Sequence, residues 1–313
     1  MAWKKLKSGL RLLTNSITRR RAAIELVVAA SIWGFAFVAT KWGLQSFLPM
    51  ELLFYRFIIG VISGELLHFG LFRKGFTLDI SEARKAFPAA ALLSLFLIPQ
   101  TIGMLYTTAT NSGFLTTLYI IFVPILNHFF FKVKTDSKIY LTVVIAILGA
   151  FLLMGGHFDS LNKGDLVTLI CAVAGALHII YLGRVSRHVK DVVRFNNLQT
   201  FFCLIFVLPF MVLQQTWHFL GASHLSWSGL LFLGIGSSAI AFIFQIRGQK
   251  VLSDTTSSML FLLESPFAFV FGYLLLSERL APIQWAGAGV IMISSGLTIL
   301  WDSSSHSKSQ LTQ

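Results

Sequence analysis

Glu264 is the residue of this 313-residue chain whose position most needs a chemical reason. It stands inside "LFLLESPFAFVFGYLLLSERL", Leu260 to Leu280, a run that is nearly all apolar and long enough to cross a bilayer. The acid lies about eight residues, roughly 12 Å, from the start of its span, close to the midplane. A charged side chain there costs about 2.5–3.5 kcal/mol on insertion scales, so it must face a bundle interior or a wet cavity. Two chemistries fit: a ligand for a substrate ammonium, or a carrier of protons. The structural alternative is a neutral, hydrogen-bonded glutamic acid that fixes its helix. Pro266, two residues on, removes a backbone N–H and predicts a kink with the carbonyl of Leu262 left free beside the carboxylate.

Other polar side chains recur at helical spacing inside apolar runs. Thr116, Tyr119, Val123 and Asn127 share one helix face, as do Trp33, Phe37 and Lys41, and His178 with Tyr181. Gln100 and Gln245 add two intramembrane amides. Such groups either line a pathway or hydrogen-bond neighbouring helices. Arg56 and Lys41 fall at the outer side of their spans, where they anchor the helices by snorkelling, with Glu51 as a partner for Arg56. The alternative role is a gate or an attractor for carboxylate substrates. Glu65, with His68 and Arg73 beyond it, is expected to form a structural pair.

Metal and nucleophile chemistry find no support in the residue pattern. There is no His-Glu-x-x-His, no Gly-x-Ser-x-Gly, no paired intramembrane carboxylates and no Walker motif. Cys171 and Cys203 sit in apolar runs without metal or disulfide spacing, as small core residues. No metal and no cofactor is expected.

The elements that must hold these residues are membrane helices. The chain is 55% hydrophobic and 12% charged, with a mean hydropathy of +0.75, against about 25% charged residues in a soluble domain. Apolar runs centre on 24–44, 52–72, 87–106, 113–131, 139–155, 165–183, 196–216, 227–246, 256–276 and 281–301. Barrel strands would alternate apolar and polar residues, and these runs do not. The net charge of +12 is no nucleic-acid surface, because the basic residues fall in short clusters between the runs. With a cytoplasmic N-terminus, only Lys163 and Arg279 of the 25 Lys and Arg fall outside, and Lys41 and Arg56 fall within or at the edge of spans. That asymmetry predicts ten spans with both termini cytoplasmic. The basic start, "MAWKKLKSGLRLLTNSITRRR", precedes a run too long for a signal-peptide core and is expected to be retained.

The halves echo each other. "QTIG" at Gln100–Gly103 and "QIRG" at Gln245–Gly248 lie 145 residues apart, and Pro124 and Pro266 lie 142 apart as kinks of the fourth and ninth spans. On the proline alignment Glu264 faces Phe122 and has no acidic counterpart. Five spans per half makes the second half enter the membrane from the opposite side. The fold class is therefore an all-α polytopic membrane protein, with ten transmembrane helices as two inverted five-helix repeats around a central cavity. The expected divisions are a basic cytoplasmic segment (1–21), a first repeat (22–155), an external linker (156–164), a second repeat (165–301) and a disordered cytoplasmic tail (302–313).

"ASIWGFAFVATKWGL" at Ala30–Leu44, "YRF" at Tyr55–Phe57, "YTTATNSGFLTTLYIIFVP" at Tyr106–Pro124 and "LLESPFAFVFGYLLLSERLAPIQWAGAGVIMISSG" from Leu262 carry a family resemblance. Together they resemble EamA-type members of the drug/metabolite transporter superfamily, over about residues 24–301. One departure is "KVKTDSK" in the first half, where Asp136 stands in place of the family's usual glutamate. The resemblance implies transport of small metabolites across the cytoplasmic membrane, more commonly outward, through a cavity between the repeats. It also implies that the tenth helix and its counterpart pack as a pair outside that cavity. The expected partners are a small-molecule substrate, such as an amino acid or related amphipathic compound, and the lipid bilayer. Proton coupling through Glu264 and a homodimer through the small residues of Trp285–Gly289 are further expectations. A facilitator or importer, an intramembrane enzyme and a receptor stay open as alternatives.

Overall fold

A computed structural model describes residues 17–72, 79–132, 137–156, 162–214, 221–279 and 281–310. All regular structure among them is helical. The first three helices are α1 (Arg19–Gly43), α2 (Pro49–Phe72) and α3 (Ile80–Gly103). A broken span follows as α4 (Ala109–Thr117) and α5 (Tyr119–Phe131), then α6 (Ser137–Leu153). The second half holds α7 (Lys163–Val185) and α8 (Val192–Gln214). Next comes a compound span of α9 (His224–Phe232), a π-helix (Leu233–Ala241) and α10 (Phe242–Gln249). It closes with a second broken span, α11 (Asp254–Phe261) and α12 (Glu264–Leu276), and with α13 (Pro282–Gln310).

Eight helical stretches among the described residues are long and apolar enough to cross a membrane. The two remaining expected spans fall on α6, which is 17 residues long, and on α13. These two helices pack mainly on each other. Gly149 and Gly287 permit the contact, since an added Cβ at Gly149 would meet the Gly287 carbonyl oxygen at 3.0 Å. Part of the small-residue face of Trp285–Gly289 is thus occupied within the chain.

Local signals explain the helix boundaries. Thr18, Asp79, Thr108, Ser223 and Ser253 each accept a hydrogen bond from a backbone N–H of the helix that follows. Asn162 and Asp165 form a reciprocal capping box, so α7 takes in Lys163 and Gly164, which the sequence assigned to the linker. Similarly, α1 begins at Arg19, ahead of the expected boundary at residue 22. Helix α13 continues to Gln310 through most of the tail expected to be disordered. Extending a formed helix fixes one residue per hydrogen bond and needs no new nucleus. Residues 1–16, 157–161 and 311–313, with Arg73 and Asp136, lie outside the described residues.

The broken spans correct the proline alignment. Thr108 and Ser253 cap α4 and α11, Tyr119 and Glu264 open α5 and α12, and the left-handed residues Lys132 (φ 52°) and Ser277 (φ 55°) end them. Each pair is 145 residues apart, the spacing of Gln100 and Gln245. Pro124 is the sixth residue of α5 and Pro266 the third of α12, so the two are not equivalent. The breaks fall at Leu118 and at Leu262–Leu263, upstream of both prolines. Tight three-residue turns make the second break, with Leu263 N–H donating to Leu260 O (3.2 Å) and Ser265 N–H to Leu262 O (3.1 Å). The Leu262 carbonyl is therefore not free. Pro266 sits in a first helical turn, where no intrahelical partner awaits an N–H.

Candidate functional site

Seven of the spans line a cavity, and none of α6, α8 and α13 contributes to its wall. Of the residues singled out from the sequence, Glu264, Tyr119, Gln100, Gln245, Trp33, His178 and Arg56 line it.

The wall is organised in pairs 145 residues apart. Trp33 and His178, Leu97 and Phe242, Gln100 and Gln245, and Tyr119 and Glu264 all face the same space. In the last pair the Tyr119 hydroxyl and the Glu264 carboxyl interact inside the cavity. Glu264 thus meets its own counterpart, which is a tyrosine, not Phe122. Both residues open the second piece of a broken helix, and the breaks bring these two helix starts together. Thr117 and Ser265 join the same crossing through their hydroxyls (2.8 Å), and Ser265 donates to Gly113 O (2.9 Å).

Close backbone approach seats the acid. A Cβ on Gly34 of α1 would meet Ala268 N at 2.9 Å and Glu264 O at 3.0 Å. Nothing larger than glycine lets α1 lie this close to α12. Glu264 Oε1, Gln245 Oε1 and Trp33 Nε1 are buried without a hydrogen-bond partner among the described residues. An acceptor, a second acceptor and a donor are therefore left for another molecule. Gln100 donates to Thr116 Oγ1 (3.0 Å) and Gln245 to Gln249 Oε1 (3.0 Å). His178 Nε2 lies 3.4 Å from Gln199 Oε1, with its ring edge-on to Phe242. Trp33 packs its indole against Phe242 and Phe261, giving the cavity an aromatic side.

Three expected site residues lie elsewhere. Asn127 is two turns beyond Tyr119 and joins a polar layer, donating to Asp254 Oδ2 (3.3 Å) and accepting from Arg184 Nη2 (3.3 Å). Tyr181 donates to Lys85 O (2.9 Å). Lys41 donates to Met104 O (2.6 Å), tying α1 to α3. Helical periodicity groups residues by face but does not say where along the axis a cavity stops.

Two expected pairings are also corrected. Arg56 donates to Ser238 Oγ and Ser237 Oγ (2.8 Å each) rather than to Glu51, which accepts from Leu48 N–H (2.9 Å). Glu65 pairs with Arg194 and Asn197, while His68 lies 3.0 Å from Asp191. The partner of Glu65 comes from the other half of the chain. Both cysteines are buried, as expected of core residues.

At the end of the bundle where α1 begins, ion pairs join the halves beneath the cavity. Arg247 on α10 reaches Glu25 on α1 at 2.8 Å from Nε and 3.1 Å from Nη2. Arg194 holds Glu65, and Lys85, paired with Glu82 within α3 (2.9 Å), donates to His188 O across the halves (2.9 Å). Arg184 lies over the Phe131 ring, 3.2 Å from its centroid. From the sequence alone, Arg247 is expected only as one of the cytoplasmic basic residues. The signal for this pair was a carboxylate, Glu25, one residue inside the first apolar run.

A helical membrane bundle around a partly polar cavity is the build of a small-molecule transporter. The chain matches the EamA-like transporter family over residues 20–155 and 162–300, and it belongs to that family. An "Uncharacterized transporter" of Archaeoglobus fulgidus is 29% identical over 280 residues, covering 90% of this chain and 86% of that protein. The "Uncharacterized transporter YoaV" of Bacillus subtilis is 21% identical, covering 83% and 90%. One crystal structure shares the fold at a TM-score of 0.72 and 16% identity, covering 91% of this chain and all of that one. The protein is a multi-pass membrane protein of a transporter family.

Proposed function

We propose that the protein is a secondary transporter that exports small amphipathic metabolites, such as amino acids, across the cytoplasmic membrane. Ten helices form two inverted five-helix repeats, with both termini cytoplasmic, that rock about the cavity and open it to each side in turn. One observation carries this reading: four pairs of residues at a constant spacing of 145 line a single cavity, and the pair Tyr119–Glu264 meets inside it. The exchange of neighbours between halves supports the same symmetry. Helix α4 packs on α12 and α5 on α11, while α3 packs on α7 as α9 and α10 pack on α1. The ion pairs at the α1-start end close the cytoplasmic side in this conformation.

Glu264 carries the coupling proton and yields it to the Tyr119-bounded cavity when substrate binds. A comparison of metabolites inside and outside deletion and overexpression cells identifies the exported compound. Its flux is then measured in proteoliposomes. The native protein is expected to respond to an imposed pH gradient, and Glu264→Gln to transport without that response. An unchanged response in Glu264→Gln removes the proton role.

A further inference from the structure

Arg56 is buried, 4% exposed, and its place in the cavity wall is not explained by coupling at Glu264. A guanidinium remains ionised in proteins and offers five N–H donors in a rigid fork. Here Nε and Nη2 are met by two neutral hydroxyls, Ser238 and Ser237, and Phe57 lies 6.0 Å away at its ring centroid. No carboxylate among the described residues bonds to Arg56. A buried cation inside a membrane is costly unless a counter-charge arrives.

The seat is built with unusual backbone geometry. The two hydroxyls come from consecutive residues of the π-helix, Leu233–Ala241. In an α-helix, consecutive side chains point about 100° apart. Wider winding lets both reach one guanidinium, and π segments recur at functional positions. Glycines bring the two backbones together. A Cβ on Gly234 would meet Ile59 Cβ at 2.6 Å and Arg56 O at 3.1 Å, and one on Gly60 would meet Ser238 Cβ at 3.1 Å. Each serine accepts from Arg56 and keeps its own O–H to donate, and Ser237 also faces the cavity. Fixed donors around a fixed positive charge are what a carboxylate oxygen binds.

We infer that Arg56 and Ser237 form an anion seat that takes the carboxylate of the transported molecule, while Glu264 in the same cavity takes a hydrogen-bond donor such as its ammonium. The apolar body of that molecule lies against Trp33, Phe242 and Phe261. This rests on the transport reading for its purpose, but not for the binding itself.

Thermal unfolding of the purified full-length protein at fixed chloride tests the seat, using phenylalanine and leucine beside their amides as probes. The acids are expected to raise Tm with concentration and the amides to fail. Arg56→Gln weakens acid binding about tenfold or more, and Arg56→Lys recovers part of it. Where Arg56→Gln does not fold, Ser237→Ala serves, with acid binding weakened several-fold. Amides that bind as tightly as acids, a panel in which no acid binds, or unchanged acid affinity in the folded variants overturns the seat. Flux of the same compounds separates the two readings. Acids that bind but do not cross count against transport and leave the seat standing, whereas acids and amides that cross equally well count against the seat alone.

Discussion

Valine in place of Gly34 is expected to abolish transport and to destabilise the protein. The added Cβ would run into the α12 backbone at Ala268 N (2.9 Å) and Glu264 O (3.0 Å). Backbone atoms cannot swing aside as a long side chain can, so α1 and α12 must separate. Overpacking of this kind costs about 1–3 kcal/mol, occasionally more. The functional loss exceeds the stability loss, because the displaced atoms belong to Glu264 itself and to the turn that aims it at Tyr119. Gly289→Ala on α13 is the control, since nothing lies within 4 Å of a Cβ added there. Flux and Tm measured together check the result. Gly34→Val with native flux would mean that the α1–α12 contact does not position the acid.

Loss of either member of the Glu25–Arg247 pair is expected to be the largest single stability defect. Both are buried, at 7% and 3% exposure, and the geometry is bidentate. Removing one partner of a buried ion pair costs about 3–5 kcal/mol. Arg21 also bonds Glu25, at 3.1 Å, but is far more exposed, so the buried contact to Arg247 carries most of the loss in Glu25→Gln. Replacing both residues by methionine removes both desolvation costs and is expected to recover most of the loss. Denaturant unfolding in detergent for the two single variants and the double variant forms the check. Additive losses in the double variant would show that the two charges act independently.

Much of this site is legible in the amino-acid sequence, and the reasons divide by length scale. Hydropathy places the spans because the bilayer sets a length and a polarity that every crossing must meet. Glu264, Gln100 and Gln245 were visible because polar groups are rare and expensive in such runs. The 145-residue spacing was also visible at Gln100 and Gln245. Held constant, it pairs Trp33 with His178 and Tyr119 with Glu264. It was lost at the prolines, whose chemistry suggested a shared kink. The structure makes both breaks with tight turns upstream, and proline is neither shared nor needed. Partners across the halves were not legible. Arg56 finds Ser237 and Ser238, and Glu65 finds Arg194, through contacts more than a hundred residues apart in sequence. Periodicity carries no such information. The depth of the cavity was hidden for the same reason, and Asn127 and Tyr181 fell outside it although each shares a helix face with a residue inside.

Two-sided access to the cavity is the central claim, and Ala36→Cys tests it most directly. Ala36 lines the cavity wall, and the native Cys171 and Cys203 are buried, so the parent chain is the blank. A membrane-impermeant thiol reagent is applied to right-side-out and to inside-out vesicles. The account predicts labelling of Ala36→Cys from both sides, at different rates, with neither native cysteine reacting. Labelling from one side alone, however long the exposure, would contradict alternating access about this cavity.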